Sequence, residues 1–171
     1  MCIRDSFKLD SIVLATGFDA MTGALKKIDI TGIRNLKLKE KWQDGPRTYL
    51  GLTTTGFPNF FTITGPGSPS VLTNMIPSVE QHVEWVSECI SFMMSRGLKQ
   101  IAANSLAENG WMKHVNDLAE QSLRSTCLSW YLGSNVPGKP RVFMPYIGGV
   151  PTYSEKCENV VADGYVGFEM N

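Results

Sequence analysis

The stretch between residues 59 and 86 constrains this chain most, because it joins three structural patterns in a fixed order. Residues 59–64 form an apolar run typical of a buried strand. Residues 65–68 read Gly-Pro-Gly-Ser, which predicts a loop, since glycine accepts positive φ and proline cannot continue a strand ladder. A periodic segment after Pro77 predicts a helix, with Ser78 as its N-cap. In open α/β folds, ligands bind beyond such strand ends and backbone N–H groups attract anions. The loop is therefore either a ligand-binding turn or a tight structural turn.

A second apolar run, residues 12–15, predicts a strand buried on both faces of a parallel sheet. It ends at Thr16 and Gly17, where a missing Cβ allows close approach of a ligand or another segment. Parallel strands need neighbours joined by crossovers, so we expect the partner strands to lie upstream of this one. Residues 1–6 show neither periodicity nor caps and are interpreted as a foreign or truncated leader. The predicted fold class is α/β.

Helices are predicted in the second half of the chain. In the first of them, apolar residues recur at spacings of three and four and predict the buried face, and Gly97 is expected to end the helix. The predicted buried positions are Val79, Val83, Val86 and Ile90, continued by Phe92 and Met93. The other expected elements are a strand at residues 48–54, a helix capped by Ser105 with Trp111, Val115, Leu118, Ala119 and Leu123 on its apolar side, and a tail helix within residues 153–168 that ends near Gly164.

Composition excludes several classes of function. Sixteen basic and sixteen acidic residues cancel, so we expect no nucleic-acid partner and no anionic membrane surface. No apolar run is long enough to cross a membrane. Four widely spaced cysteines without a C-x-x-C pair favour reduced thiols in a cytoplasmic protein over a disulfide framework or a zinc site.

Candidate catalytic side chains are sparse. His82 and His114 lack a second ligand at metal spacing, and the serines near the loop have no G-x-S-x-G context. We therefore assign no catalytic residue and no metal ligand. Trp130 precedes a loop rich in glycine and proline, residues 131–140, where its indole could stack on a ligand or fill a core. The sequence leaves both roles open.

Four segments, residues 15–19, 65–70, 80–86 and 130–140, occur in an order and spacing that closely resemble the C-terminal part of flavin-dependent Baeyer–Villiger monooxygenases. The resemblance runs from about Ser6 to Phe168 and is greatest to phenylacetone-type members. It implies that residues 7–171 are the C-terminal portion of the FAD-binding domain, an incomplete Rossmann-like FAD/NADP-binding fold with C-terminal helices. It further implies FAD and NADPH as cofactors and, as substrates, O2 and a ketone, which is converted into an ester or lactone.

The resemblance also implies roles for individual residues. A hinge strand near both cofactors corresponds to Ala15, Thr16 and Gly17. The flavin ring is lined by Thr73, Asn74 and Met75, with the Met75 backbone in contact with FAD. The substrate pocket is shaped by Ser70, Val71, Leu72 and Thr73, and Trp130 lies on a mobile loop that closes over NADP.

Family features are also missing from this sequence. It contains no G-x-G-x-x-G fingerprint for a dinucleotide pyrophosphate and no F-x-G-x-x-x-H-x-x-x-W-P signature, and none of its arginines corresponds to the active-site arginine of the family. We therefore predict that the chain needs upstream domains and is inactive alone. Two alternatives remain: a flavin monooxygenase that oxidises nitrogen or sulfur, and a non-catalytic flavin-binding module.

Overall fold

A computed structural model describes residues 6–15, 17–70 and 73–171 of the chain. Its α-helices are α1 (Gly23–Lys27), α2 (Leu38–Lys41), α3 (Met75–Ser95), α4 (Ser105–Glu120) and α5 (Val150–Ala162), its strands are β1 (Ile101–Ala103) and β2 (Phe168–Met170), and its 3₁₀ turns are Ile33–Asn35, Leu123–Ser125 and Trp130–Leu132. The two strands pair antiparallel, with Ile101 opposite Met170. No helix within the described ranges is long and apolar enough to cross a membrane.

The predicted strand at residues 12–15 is not a strand. Its side chains project into solvent, with Ile12, Val13 and Leu14 being 74%, 89% and 81% exposed. A parallel strand is stable only beside neighbours, and no described residue pairs with this segment. The prediction of a parallel sheet is therefore wrong for the described residues, which combine helices with one short antiparallel pair.

The strands predicted at residues 48–54 and 59–64 are also wrong, because both segments form turns. Thr53 makes single bridges to Tyr49 and Phe61, and neither extends into a ladder. The backbone φ is +58° at Leu50, +55° at Asn59 and +53° at Thr64. These left-handed residues reverse the chain and interrupt the extended conformation that the apolar pattern predicted.

Helix α3 begins earlier than predicted. Its N-cap is Asn74, whose Oδ1 accepts a hydrogen bond from the Ile76 N–H at 3.1 Å. The predicted cap, Ser78, lies inside the helix, since asparagine caps as well as serine does and proline is tolerated in a first turn. The predicted end is confirmed: Gly97 has φ +68°, and the Leu98 N–H donates back to the helix at 2.9 Å.

The buried face of α3 differs from the predicted one. The buried side chains are Ser78, His82, Trp85, Cys89 and Met93. Val79, Val83 and Ile90 are exposed, and Val86 is half-buried. The helix carries two adjacent apolar stripes, and periodicity alone could not tell which one packs inward.

Helices α3, α4 and α5 enclose the main core together with the turns that precede α3. Helix α4 starts at the predicted position, with Asn104 rather than Ser105 as its cap. Leu123 lies beyond the end of α4 and is exposed, so its predicted place on the apolar side is wrong. The core comprises Tyr49, Leu50, Leu52, Trp85, Cys89, Met93, Ile101, Ala103, Trp111, Met112, Val115, Tyr146, Tyr153, Cys157, Val160 and Tyr165.

Candidate cofactor and substrate site

The Gly-Pro-Gly-Ser loop at residues 65–68 is buried and satisfies its own polar groups. The Gly67 N–H donates to the Met144 carbonyl at 2.7 Å, and the Ser68 N–H donates to the Gly65 carbonyl at 3.1 Å. The Ser68 hydroxyl donates to the same Gly65 oxygen at 2.7 Å. Donors already paired inside the protein are not offered to an anion. Of the two roles left open by the sequence, the structure supports the tight structural turn.

Close packing around Gly67 holds this loop against the core. Its φ is +86°, and a Cβ built there lies 2.9 Å from Thr48 Oγ1 and 3.2 Å from Trp111 Nε1. The Trp111 indole N–H donates to the Gly67 carbonyl at 3.0 Å. Only glycine combines this φ with so close an approach. The loop therefore fixes the position from which the chain enters the candidate site.

The predicted substrate-pocket segment forms a tight turn between this loop and α3. The Thr73 N–H donates to the Ser70 carbonyl at 2.9 Å, which closes the turn. The intervening Val71 and Leu72 lie outside the described residues. Ser70 is buried, and its hydroxyl has no hydrogen-bond partner among the described residues. A buried hydroxyl without a partner is costly, so Ser70 is the one polar side chain of this turn that could accept an added ligand.

The first turn of α3 presents a limited set of backbone donors. The Ile76 N–H is capped by Asn74, and Pro77 has no N–H. No described residue accepts a hydrogen bond from the Met75 N–H. A helix N-terminus carries a partial positive charge. In the part of the chain that the structure describes, the Met75 N–H is thus the first-turn donor that a flavin carbonyl or ring nitrogen could use.

Two of the predicted cofactor segments lie against each other. The Asn135 side-chain amide donates to the Phe18 carbonyl at 3.0 Å, and Lys139 forms an ion pair with Asp19. Gly17, with φ +75°, lies next to Asn135. The structure therefore brings the predicted hinge segment to the Trp130 loop. Ala15 is exposed, and Thr16 lies outside the described residues.

Trp130 is half-buried at the start of this loop. Its ring centroid lies 4.0 Å from that of Tyr131, so the two rings pack on each other. The turn ends at Gly133 with φ +69°, and the Lys139 side chain covers that glycine, since a Cβ there would lie 2.8 Å from Lys139 Cδ. The loop is therefore ordered by its own contacts, and one face of Trp130 is already covered by Tyr131.

Met144, which sequence reasoning did not identify, connects the two halves of the site. Its N–H donates to the Tyr131 carbonyl at 3.0 Å, and its carbonyl accepts from the Gly67 N–H. The Tyr146 N–H donates to the Ser68 carbonyl at 2.9 Å. The only signal for this connection is a short apolar run at residues 142–144 between two Gly/Pro-rich segments.

The two histidines have structural surroundings. His82 is fully buried in α3, and its Nδ1 accepts a hydrogen bond from the Thr64 N–H at 3.0 Å. Burial lowers the pKa of His82 to about 4, so the ring is neutral at pH 7. Burial also lowers the pKa of His114. No cluster of metal-ligating side chains occurs in the described ranges.

Cavities elsewhere do not coincide with the predicted site. A cavity of about 600 Å³ lies between α4 and α5, lined by Trp111, His114, Lys156 and neighbouring apolar residues. None of the site residues predicted from the sequence lines it. The predicted site is instead an open edge formed by the start of α3 and the Trp130 loop.

Known proteins resemble this chain over nearly its whole length, although no protein-family model matches it. An acetone monooxygenase (methyl acetate-forming) from Gordonia sp. (strain TY-5) is 42% identical over 165 residues, which are 96% of this chain and 31% of that protein. A phenazine N-monooxygenase from Lysobacter antibioticus is 35% identical over 164 residues, which are 96% of this chain and 30% of that protein.

Solved structures agree with these sequence matches. A cyclohexanone monooxygenase from Rhodococcus sp. Phi1, bound to NADP+, superposes with a TM-score of 0.91 at 39% identity and covers 96% of this chain and 31% of its own. A complex of OTEMO with FAD and NADP gives a TM-score of 0.87 at 38% identity, covering 97% and 30%. The chain spans about three tenths of the length of the relatives it matches. By sequence and by fold, this chain is a relative of the Baeyer–Villiger monooxygenases and matches one part of such a protein.

Proposed function

We propose that this chain is part of an FAD- and NADPH-dependent Baeyer–Villiger monooxygenase, which inserts one oxygen atom of O2 into a ketone and forms an ester or lactone. The observation that carries the proposal is the continuous match in sequence and fold to the monooxygenases named above, over 96% of this chain. A shared fold alone does not identify a reaction, but here identity close to 40% accompanies it.

The residues at the start of α3 fit a bound flavin. FAD, when bound, supplies the redox chemistry that activates O2, and the protein supplies binding and orientation. The Met75 N–H is aligned with the positive end of α3, where it can donate to the flavin ring. Asn74 holds that helix end by capping Ile76. Asn74 is therefore a positioning residue, and Met75 is the residue in contact with the cofactor.

The turn from Ser70 to Thr73 is proposed to line the ketone pocket, with Val71 and Leu72 as its apolar part. Apolar side chains there would keep water away from the reacting atoms. The Trp130 loop is proposed to close over NADP, and its contacts to the segment at residues 17–19 connect that closure to the hinge. Ala15, Thr16 and Gly17 are proposed to lie near both cofactors.

The chain is proposed to require the remaining domains of the enzyme for activity. No G-x-G-x-x-G fingerprint occurs in its sequence, and the donors of its own glycine loop are paired internally. The rest of a Rossmann-like FAD/NADP-binding domain would supply the phosphate cradle. We also propose a cytoplasmic location, which suits the free thiols of Cys89, Cys127 and Cys157.

Oxidation of a nitrogen atom is the second candidate function. It is favoured by the likeness to the phenazine N-monooxygenase, which matches almost the same share of this chain as the acetone monooxygenase does. The two reactions use the same cofactors and differ in the atom that receives oxygen. The products formed from a ketone and from an aromatic nitrogen compound distinguish them.

Retention of flavin tests the proposed cofactor role. We would compare this chain with a chimera in which it replaces the matching stretch of the Gordonia acetone monooxygenase. After incubation with FAD and desalting, we expect flavin absorbance in the chimera and none in the chain alone. In the chimera, Asn74→Ala should weaken flavin retention, whereas Ser91→Ala, on the exposed side of α3, should not. Stoichiometric flavin on a folded monomer of the chain alone would instead indicate a self-sufficient flavin-binding module.

A further inference from the structure

Helix α3 carries a second apolar surface that no described residue covers. We call it the outer stripe and define it by Ile76, Val79, Val83, Ile90 and Met94, which are 68%, 37%, 47%, 43% and 76% exposed. These are the positions of which Val79, Val83 and Ile90 were predicted from the sequence to be buried. Exposed apolar residues are ordinary when scattered, but these five are arranged along one helix.

The outer stripe is continuous in space. At 100° per residue, its five members fall within an arc of roughly 60° that adjoins the buried face. The exposed Glu80, Glu84 and Glu88 occupy the next arc, away from the core. At a rise of 1.5 Å per residue, the stripe is about 27 Å long. It therefore forms a ridge with the length of a whole helix, bordered by charge on one side only.

The outer stripe has the chemistry of a surface meant to be covered. Full burial of a Val, Ile or Met side chain is worth about 1.5–3 kcal/mol, so five partly exposed ones forgo several kcal/mol. Monomeric proteins rarely leave such contiguous patches open. The same pattern occurs before α1, where Phe7, Leu9 and Phe18 are exposed too. A covering body that contacts both surfaces is a larger object than one helix.

We infer that the outer stripe is the docking surface for the nucleotide-binding remainder of the monooxygenase, an inference that rests on the function proposed above. The stretch matched here is 31% of the acetone monooxygenase, so more than twice as many residues of that protein lie outside the match. The stripe starts in the first turn of α3, beside Asn74 and Met75. A body seated on it extends to the helix end that faces the proposed flavin.

A second copy of this chain fits the surface less well. A stable symmetric dimer buries about 800 Å² on each partner, and a single row of five half-exposed side chains provides only part of that area. Neighbouring surface on α3 carries the three glutamates, which would repel their symmetry mates in a helix-to-helix dimer. The remainder of the enzyme has neither restriction.

Association between two separately produced parts tests this inference. The Gordonia acetone monooxygenase without its matched stretch is co-produced with this chain, and with its own excised stretch as the positive reference. Binding is measured by size exclusion and by titration, with and without FAD. The test variants are Val83→Asp and Met94→Asp, and Ser91→Asp is the matched control, which adds the same charge on the exposed polar side of α3. Circular dichroism and the melting temperature show whether each variant is folded.

We expect wild type and Ser91→Asp to bind the remainder alike, and both stripe variants to bind at least tenfold more weakly while still folded. Met94 is the most exposed member of the stripe, so its substitution keeps the test valid even if Val83→Asp disturbs the fold. Equal binding by all folded variants would overturn the inference. So would failure of this chain to bind when the excised reference stretch does, or a discrete dimer of this chain that Val83→Asp dissociates. Normal association without flavin retention would contradict the proposed cofactor role and leave the docking surface intact.

Discussion

Acid should destabilise this protein through His82, which is buried against Tyr153 with ring centroids 5.4 Å apart. Burial lowers the pKa of His82 from an ordinary 6.5 to about 4 in the folded state. Above pH 6.5 the ring is neutral in both states, and the folded protein has its full stability. As the pH falls below 6.5, the unfolded chain binds a proton that the folded chain does not, and stability decreases until the pH reaches about 4.

The size of the effect follows from the same two pKa values. One pKa unit corresponds to about 1.4 kcal/mol, so acidification across the whole interval costs about 3 kcal/mol of unfolding free energy, and about 2 kcal/mol of that is lost by pH 5. Replacement by asparagine places a side-chain oxygen near the position of His82 Nδ1, where it can still accept from the Thr64 N–H. Asparagine does not titrate, so His82→Asn should lose this part of the pH dependence.

Urea unfolding at pH 7 and pH 5 measures both quantities. We expect the wild-type chain to lose about 2 kcal/mol more than His82→Asn between the two pH values. The chain contains only two histidines, so His114→Gln isolates the His82 signal for a titration by NMR. Equal pH dependence in wild type and His82→Asn, or a His82 pKa near 6.5 in the folded protein, would refute the reasoning.

Three further substitutions probe the packing around the site. Gly67→Ala should destabilise the chain by about 2 kcal/mol in urea unfolding, because its φ is positive and the Trp111 indole lies too close for a Cβ; an unchanged midpoint would contradict this account of the loop. Gly110→Ala should stabilise it by about 1 kcal/mol, since this glycine lies in the interior of α4 with open space where the methyl group would lie; a lower melting temperature would show that the space is needed. Lys139→Met removes the ion pair with Asp19, worth about 1 kcal/mol, and should speed hydrogen exchange in residues 130–139 about fivefold while exchange in α4 stays unchanged; unaltered exchange in the loop would mean that the pair does not order it.

The helices could be predicted from the sequence because their signals are local. Cap and glycine positions placed the end of α3 and the start of α4 correctly or within one residue. Which side of α3 faces inward could not be predicted, because that choice depends on Trp85, whose indole N–H donates to the Cys157 carbonyl at 3.2 Å, 72 residues away. The strands failed for the complementary reason that an apolar run becomes a strand only when another segment pairs with it.

The candidate site was predictable in its parts, although its connections were not. The resemblance named the start of α3 and the Trp130 loop, but it gave no reason for the two to be joined through Met144. Another long-range feature was missed in the same way: Glu108 is buried in α4 and pairs with Lys41 at 2.7 Å, while its second oxygen accepts from the Thr55 N–H at 2.8 Å. On the sequence it reads as an ordinary first-turn acid of a helix. Only the fold brings its partners near.

Oxygen transfer by the chimera tests the central claim most directly. The chimera of this chain with the remainder of the Gordonia acetone monooxygenase is supplied with FAD, NADPH and ¹⁸O2, together with acetone, cyclohexanone, phenylacetone or phenazine. The account predicts an ester or lactone that carries one ¹⁸O atom from at least one of the ketones. A chimera that retains FAD and consumes NADPH, yet leaves every ketone unchanged and converts phenazine into a labelled N-oxide, would contradict it.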